Sequence, residues 1–275
     1  MEQSEKFIDV EKVIAGKSPR LLKALPKFII RYLKRIIHQD EINQILAQHG
    51  DKQGIPFIEE VLKMMNVTYQ TEGLENISLD GRYLFASNHP LGGLDGIILI
   101  HLLRQKYPDV KFPVNDLLMY LKQFHSVFIP VNKHGAQSSQ NARMLEEAYS
   151  SNTQILYFPA GLCSRKQKGT IEDLEWKKSF ITKALKHKRN IVPVYFSGRN
   201  SNFFYNLSKL RNFFGIKANI EMLYLVDEMF KQKGKNITVK IGKPLSYNTF
   251  DSSKSPKEWA NWVKKRVYEM SPTLN

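Results

Sequence analysis

From residue 67 onward the hydrophobic pattern keeps changing its period. Short runs rich in β-branched and aromatic residues predict strands at 82–87, 110–114, 126–131, 154–158, 191–196, 220–225 and 237–241. Between them, apolar positions three and four apart predict helices at 95–105, 116–122, 138–149, 172–187 and 256–269. The last opens Ser255-Pro256-Lys257-Glu258, which supplies a hydroxyl cap, a proline at the first helical position and a glutamate that can reach back. Strands that alternate with helices predict an α/β fold: a largely parallel sheet of about seven strands, flanked by helices. Ligands of such sheets gather at the carboxyl ends of the strands.

Residues 1–66 read as a helical N-terminal segment, set apart from an α/β domain at 67–275. Residues 17–38, KSPRLLKALPKFIIRYLKRIIH, carry seven Lys/Arg and no acid. Lys23, Lys27, Arg31 and Lys34 follow one helical stripe, and Leu21, Leu25, Phe28, Ile29, Leu33, Ile36 and Ile37 fill much of the rest. The pattern predicts a basic amphipathic helix that restarts near Pro26. Two placements fit it: packed on the main domain with its charges in water, or lying in a membrane surface among headgroups. Shorter helices are predicted at 41–48 and 56–65.

Hydrophobic residues make up 42% of the 275, enough for a sizeable core. The net charge of +15 favours polyanionic surroundings: nucleic acid, anionic lipid headgroups, or phosphorylated and thioester-carrier substrates. No helix-turn-helix, zinc-finger or RNP-type signature supports nucleic acid. The single cysteine, Cys163, permits no intrachain disulfide and fits a reducing compartment. The N-terminus MEQSEKFIDVEK is polar, and no apolar run reaches the roughly 18 residues of a membrane span. The expectation is a cytoplasmic protein, peripheral at the inner face of the membrane. The histidines are scattered without ligand spacing, so no metal is expected.

One stretch concentrates candidate chemistry. Residues 85–100 read FASNHPLGGLDGIILI. His89 follows a predicted strand, and Asp95 opens a predicted helix. Residues six apart in a regular helix lie about 240° apart around its axis, so the two side chains could not meet there. Pro90 keeps His89 out of the helix, and Gly92-Gly93 permits a tight turn. Folded back, the carboxylate would accept from one ring nitrogen and leave the other as a general base. The plainer alternative is a satisfied loop histidine and a helix-capping aspartate.

This segment resembles the first signature of the glycerolipid (lysophospholipid) acyltransferase family, commonly N-H-x-x-x-x-D. Five residues, not four, separate His89 from Asp95. The NHPxGxxDG variant is similar to a subgroup that includes hemolysin-like and amino-acid-lipid O-acyltransferases. Three further blocks follow in order. Phe128-Ile129-Pro130-Val131-Asn132-Lys133 resembles the second, YFPAGLCSRK (157–166) the third, usually F-P-E-G-T-R-S, and Ile191-Val192-Pro193-Val194-Tyr195-Phe196 the fourth. The likeness covers roughly residues 73–245. In the third block Ala160 replaces the usual glutamate and Cys163 the usual arginine, while Phe158, Pro159, Gly161 and Ser164 remain.

The resemblance implies transfer of a fatty acyl group from an acyl carrier protein or coenzyme A thioester to a hydroxyl of a lysolipid. No bound cofactor is expected, because the thioester is a co-substrate. His89 and Asp95 would be catalytic. Asn88, Gly92, Gly93, Phe158, Pro159, Gly161, Ser164, Arg165 and Arg199 would bind substrate, with backbone N–H groups near Gly92-Gly93 or Gly161 holding the oxyanion. Arg165, with Lys166 and Lys168 beside it, would supply the lost cation at the acceptor headgroup. The changes at Ala160 and Cys163 fit an acceptor other than lysophosphatidate. Cys163 reads as a small buried residue rather than a nucleophile. Asn200 reads as a helix cap or a headgroup contact, and Phe203, Phe204, Tyr205, Phe213 and Phe214 as mostly core. The expected partners are an anionic membrane surface, the lysolipid and the acyl donor. The rival is a non-catalytic basic lipid-binding protein on the same fold. A serine hydrolase is disfavoured, because no G-x-S-x-G elbow is present.

Overall fold

The computed structural model describes residues 7–131, 138–167 and 169–272. Asn132 and Lys133 of the second block, and Lys168, lie outside the described residues. A seven-stranded sheet has the order β1(Thr68–Glu72), β9(Asn236–Ile241), β8(Asn190–Phe196), β2(Tyr83–Ser87), β5(Gln154–Tyr157), β3(Val110–Val114), β4(Phe128–Pro130). All neighbours pair parallel except β8 with β9. A small antiparallel hairpin, β6(Arg165–Gln167) and β7(Thr170–Glu172), stands apart.

The central strands are apolar on both faces because both faces are covered. In β2, Tyr83 and Phe85 point to one core, and Leu84 and Ala86 to the other. The first core is closed by α4(Gln39–His49), α5(Ile55–Met64) and α6(Gly93–Arg104), through Ile45, Ile58, Leu62, Ile98 and Leu99. The second is closed by α7(Ser138–Ser150), α8(Ser179–Lys186) and α11(Pro256–Glu269), through Tyr149, Phe180, Ala184, Trp259 and Val263.

Pro193 sits inside β8, where a ladder donor is normally needed. Its carbonyl accepts from Gly242 N–H at 2.8 Å, just past the end of β9. Its missing N–H lies on that same side, where β9 has run out. Gly242 is required there, since a Cβ would stand 2.7 Å from Pro193 Cγ.

The N-terminal basic stretch breaks at Pro26 into α2(Pro19–Ala24) and α3(Lys27–Ile36), behind α1(Val10–Lys17). α2 buries no residue and α3 only Ile36. Tyr32 of α3 hydrogen-bonds Tyr224 at 2.7 Å, hydroxyl to hydroxyl. That contact ties the segment to the turn before α10(Leu225–Phe230), which follows α9(Asn202–Phe213).

Four readings of the sequence need correction. The strand expected at 220–225 is a 3-10 turn, Ile220–Tyr224, because Glu221 is drawn fully inside by Arg165 and Arg211. The helix expected at 172–187 starts at Ser179, because Asp173 and Trp176 bond each other and the loops around them. The helix at 116–122 is two short 3-10 turns. β1 went unread because its sequence TYQTE is an edge strand with no buried residue and hence no apolar alternation.

Candidate active site

β2, β5 and β8 are parallel neighbours, and their carboxyl ends deliver three loops to one edge. The loop after β2 is fastened on both sides. Asn88 accepts Phe196 N–H at 2.7 Å and donates its amide to the Phe196 carbonyl at 3.0 Å, joining β8. The expected substrate contact of Asn88 is thus replaced by a backbone brace. On the β5 side, the His89 carbonyl accepts from Ser164 N–H at 2.8 Å. His89 N–H donates to Asp173 Oδ1 at 3.1 Å.

The chain then turns at Gly92, with φ 76° and ψ −130°, a region open to glycine. A Cβ there would also stand 3.2 Å from Cys163 Sγ. The turn starts α6 with Asp95 as its third residue. Asp95 Oδ2 accepts Leu91 N–H at 2.8 Å and Gly92 N–H at 3.1 Å, and lies 3.1 Å from His89 Nδ1. The fold-back expected from the proline and glycines is therefore what the chain does. Burial pushes the Asp95 carboxyl up, and the hydrogen bonds and charge of His89 and the Leu91 N–H draw it part of the way back.

An ionised Asp95 accepts from Nδ1–H and so fixes the tautomer that leaves the Nε2 lone pair free. Nε2 has no hydrogen-bond partner among the described residues. The imidazole stacks on Phe158, centroids 4.2 Å apart, and Phe112 closes on Phe158 edge-on at 5.4 Å. The arrangement is an oriented imidazole with one free nitrogen at the edge of an apolar wall.

The third-block turn runs from Phe158 to Ser164. Gly161 N–H donates to the Phe158 carbonyl at 3.0 Å, and the Pro159 carbonyl accepts Lys177 N–H at 3.0 Å. Ser164 Oγ donates to Asp173 Oδ1 at 2.6 Å, so this hydroxyl holds a carboxylate rather than facing substrate. Cys163 is buried, and burial with Asp95 nearby pushes its thiol up to about 12, which removes it as a thiolate nucleophile.

Arg165 departs from expectation. It is 5% exposed and donates to the Cys163 carbonyl at 2.6 Å and to Glu221 Oε1 at 3.0 Å, over the face of Phe204. A guanidinium so committed locks the turn to the 3-10 segment and is not a headgroup contact. Arg199 is exposed on the loop after β8, and among the described residues its guanidinium bonds the side chain of Asn202. The cap of α9 is Ser201, whose Oγ accepts Phe204 N–H, so Asn200 does not cap.

Asp173 was not read from the sequence. It is fully buried and gathers His89 N–H, Ser164 Oγ and Trp176 Nε1 on its carboxylate. Within EDLEW it looks like one more acid of an exposed helical face. Its one local signal is a tryptophan three residues on, a donor that must find an acceptor when buried.

The acyltransferase family model matches residues 12–275. The chain belongs to that family and is an enzyme of the acyltransferase class. It is 49% identical over 265 residues to a lyso-glycine lipid O-acyltransferase of Bacteroides thetaiotaomicron, covering 96% of this chain and 97% of that one. It is 46% identical over 265 residues to a protein of the same description from Phocaeicola vulgatus, covering 96% and 95%. Among solved structures, the 1-acyl-sn-glycerophosphate acyltransferase PlsC of Thermotoga maritima superposes with a TM-score of 0.49 at 17% identity, covering 89% of this chain and 97% of that one.

Proposed function

We propose that the protein transfers a fatty acyl group from a carrier-protein or coenzyme A thioester to the hydroxyl of a lyso-amino-acid lipid of the glycine type. The near-full-length likeness to two relatives described as lyso-glycine lipid O-acyltransferases supports the acceptor class. The observation that carries the chemistry is the 3.1 Å contact of His89 Nδ1 with Asp95 Oδ2, which leaves Nε2 without a partner among the described residues.

The acceptor hydroxyl donates to Nε2. As its oxygen bonds to the thioester carbonyl carbon, the proton passes to Nε2 and Asp95 stabilises the imidazolium. Collapse of the tetrahedral intermediate breaks the carbon–sulfur bond, and the leaving thiolate takes the proton back from Nε2. The products are an ester and a thiol. General-base action of this kind is worth about 10²–10⁴-fold in rate. Of the three backbone donors considered for the oxyanion, Gly92 N–H is taken by Asp95 and Gly161 N–H by Phe158. That leaves Gly93, the exposed first residue of α6, as the donor at a helix N-terminus.

The reading places the enzyme at an anionic membrane through α2 and α3, where its lysolipid resides. The test is acyl transfer by purified protein, offered both thioesters against lyso-glycine lipid, lyso-ornithine lipid and lysophosphatidate in vesicles. O-acylated glycine lipid, identified by mass, is the expected product. Acylation of lysophosphatidate with none of the glycine acceptor would overturn the acceptor class.

A further inference from the structure

The loop between β8 and α9, residues 197–201, is left unused by this mechanism. It runs beside the His89 loop: a Cβ at Gly198 would stand 3.2 Å from Leu91 Cδ1. A cleft of about 500 Å³ opens along it, lined by Arg199, Asn200, Asn202, Lys231, Gln232 and Lys235 among others.

Two features of this cleft lack an internal explanation. The first is Asn200. It is 2% exposed, and neither its Oδ1 nor its Nδ2 has a hydrogen-bond partner among the described residues. A buried amide unpaired at both ends is destabilising, and native folds keep few of them. The second is charge. Lys231 is met by Glu228 and Asp227 at 2.7 Å each. Among the described residues the Arg199 guanidinium reaches the Asn202 side chain, and Lys235 Nζ reaches Gln232 Oε1 at 3.0 Å. Neither has a carboxylate partner among the described residues. The N-terminus of α9 opens on the same cleft, although Glu228 already accepts both the N–H and the hydroxyl of Ser201 there.

We propose that this cleft binds the headgroup of the acyl acceptor, with Arg199 and Lys235 pairing its carboxylate and Asn200 its amide. The assignment rests on the glycine-type reading above. A glycine acylated on nitrogen presents one amide and one carboxylate, and the cleft offers one unpaired amide and two cations without counter-ions. A phosphate headgroup can accept from Asn200 Nδ2 but carries no N–H for its Oδ1, whereas the acylated glycine answers both. The position beside the Leu91 turn sets the headgroup next to the loop that carries His89.

The test compares wild type with Arg199→Gln, Lys235→Gln and the double variant, using lyso-glycine lipid and its uncharged carboxamide analogue. Both side chains are exposed, and thermal unfolding checks that the fold is kept. For the carboxylate acceptor the double variant should raise KM roughly 10- to 100-fold while the donor KM stays put. The preference of wild type for carboxylate over carboxamide should disappear. A double variant that keeps the wild-type KM and preference would overturn the headgroup site while leaving the reaction intact. A wild type that ignores the glycine acceptor but acylates another lysolipid would overturn the acceptor reading, and the headgroup assignment with it. Asn200→Asp sets a carboxylate against that of the acceptor and should raise the same KM. If it fails to fold, the two cation variants decide.

Discussion

Asp95 uses one carboxylate oxygen for three donors and leaves the other, Oδ1, without a partner among the described residues. Burial holds its proton past the ordinary carboxylate range, with His89 and Leu91 pulling the other way. The unfolded chain ionises this group first, near pH 4. Through the window above that, the native state binds more protons than the unfolded state, so this group lowers stability as pH rises. Asp95→Asn cannot ionise and lacks that slope. Its unfolding free energy, relative to wild type, should rise as pH climbs above about 4 in denaturant titrations. Parallel pH profiles for the two proteins would contradict the burial account. Glu221 is a further loaded carboxylate, fully buried between Arg165 and Arg211. Glu221→Ala leaves two nearly buried guanidinium groups without it and should destabilise by roughly 3–5 kcal/mol. A loss under 1 kcal/mol by urea denaturation would show that the pair does not lock the turn.

At the scale of elements, the first turn of α6 is where a local rule decides the site. Gly92 takes a conformation that side chains rarely adopt, with Cys163 and Leu225 against it. Gly92→Ala should destabilise by about 1–3 kcal/mol and displace Asp95 from His89, lowering turnover as well as the unfolding midpoint. Full activity with unchanged stability would mean the turn is not strained. This element was legible in the sequence, because Pro90, the glycine pair and Asp95 are local signals. So were the buried central strands and α11, whose Ser255–Glu258 cap is reciprocal as expected. What stayed illegible is set by long-range partners. Asp173 binds His89, which lies 84 residues away, and Glu221 draws a would-be strand into a 3-10 turn to reach Arg165 across 56 residues. Arg165 is misread for the same reason, since only the fold reveals that its charge is already spent.

For the whole molecule, the +15 charge and the loose packing of α2 and α3 belong together. Leu21 and Phe28 are exposed beside Lys27 and Arg31, while Lys34 is held by Glu11. No helix among the described residues is long and apolar enough to cross a membrane. The reading of α2–α3 as an interfacial element predicts that Lys27→Glu with Arg31→Glu weakens binding to anionic vesicles roughly 10- to 100-fold. Unchanged sedimentation with vesicles would remove that role from this segment. Whether the oriented His89 imidazole performs the acyl transfer is decided by single-turnover acyl transfer to lyso-glycine lipid, comparing wild type with His89→Ala matched for thermal unfolding. The expected result is a loss of about 10²–10⁴-fold in rate with the fold retained. A folded His89→Ala protein that transfers acyl groups at the wild-type rate would contradict it.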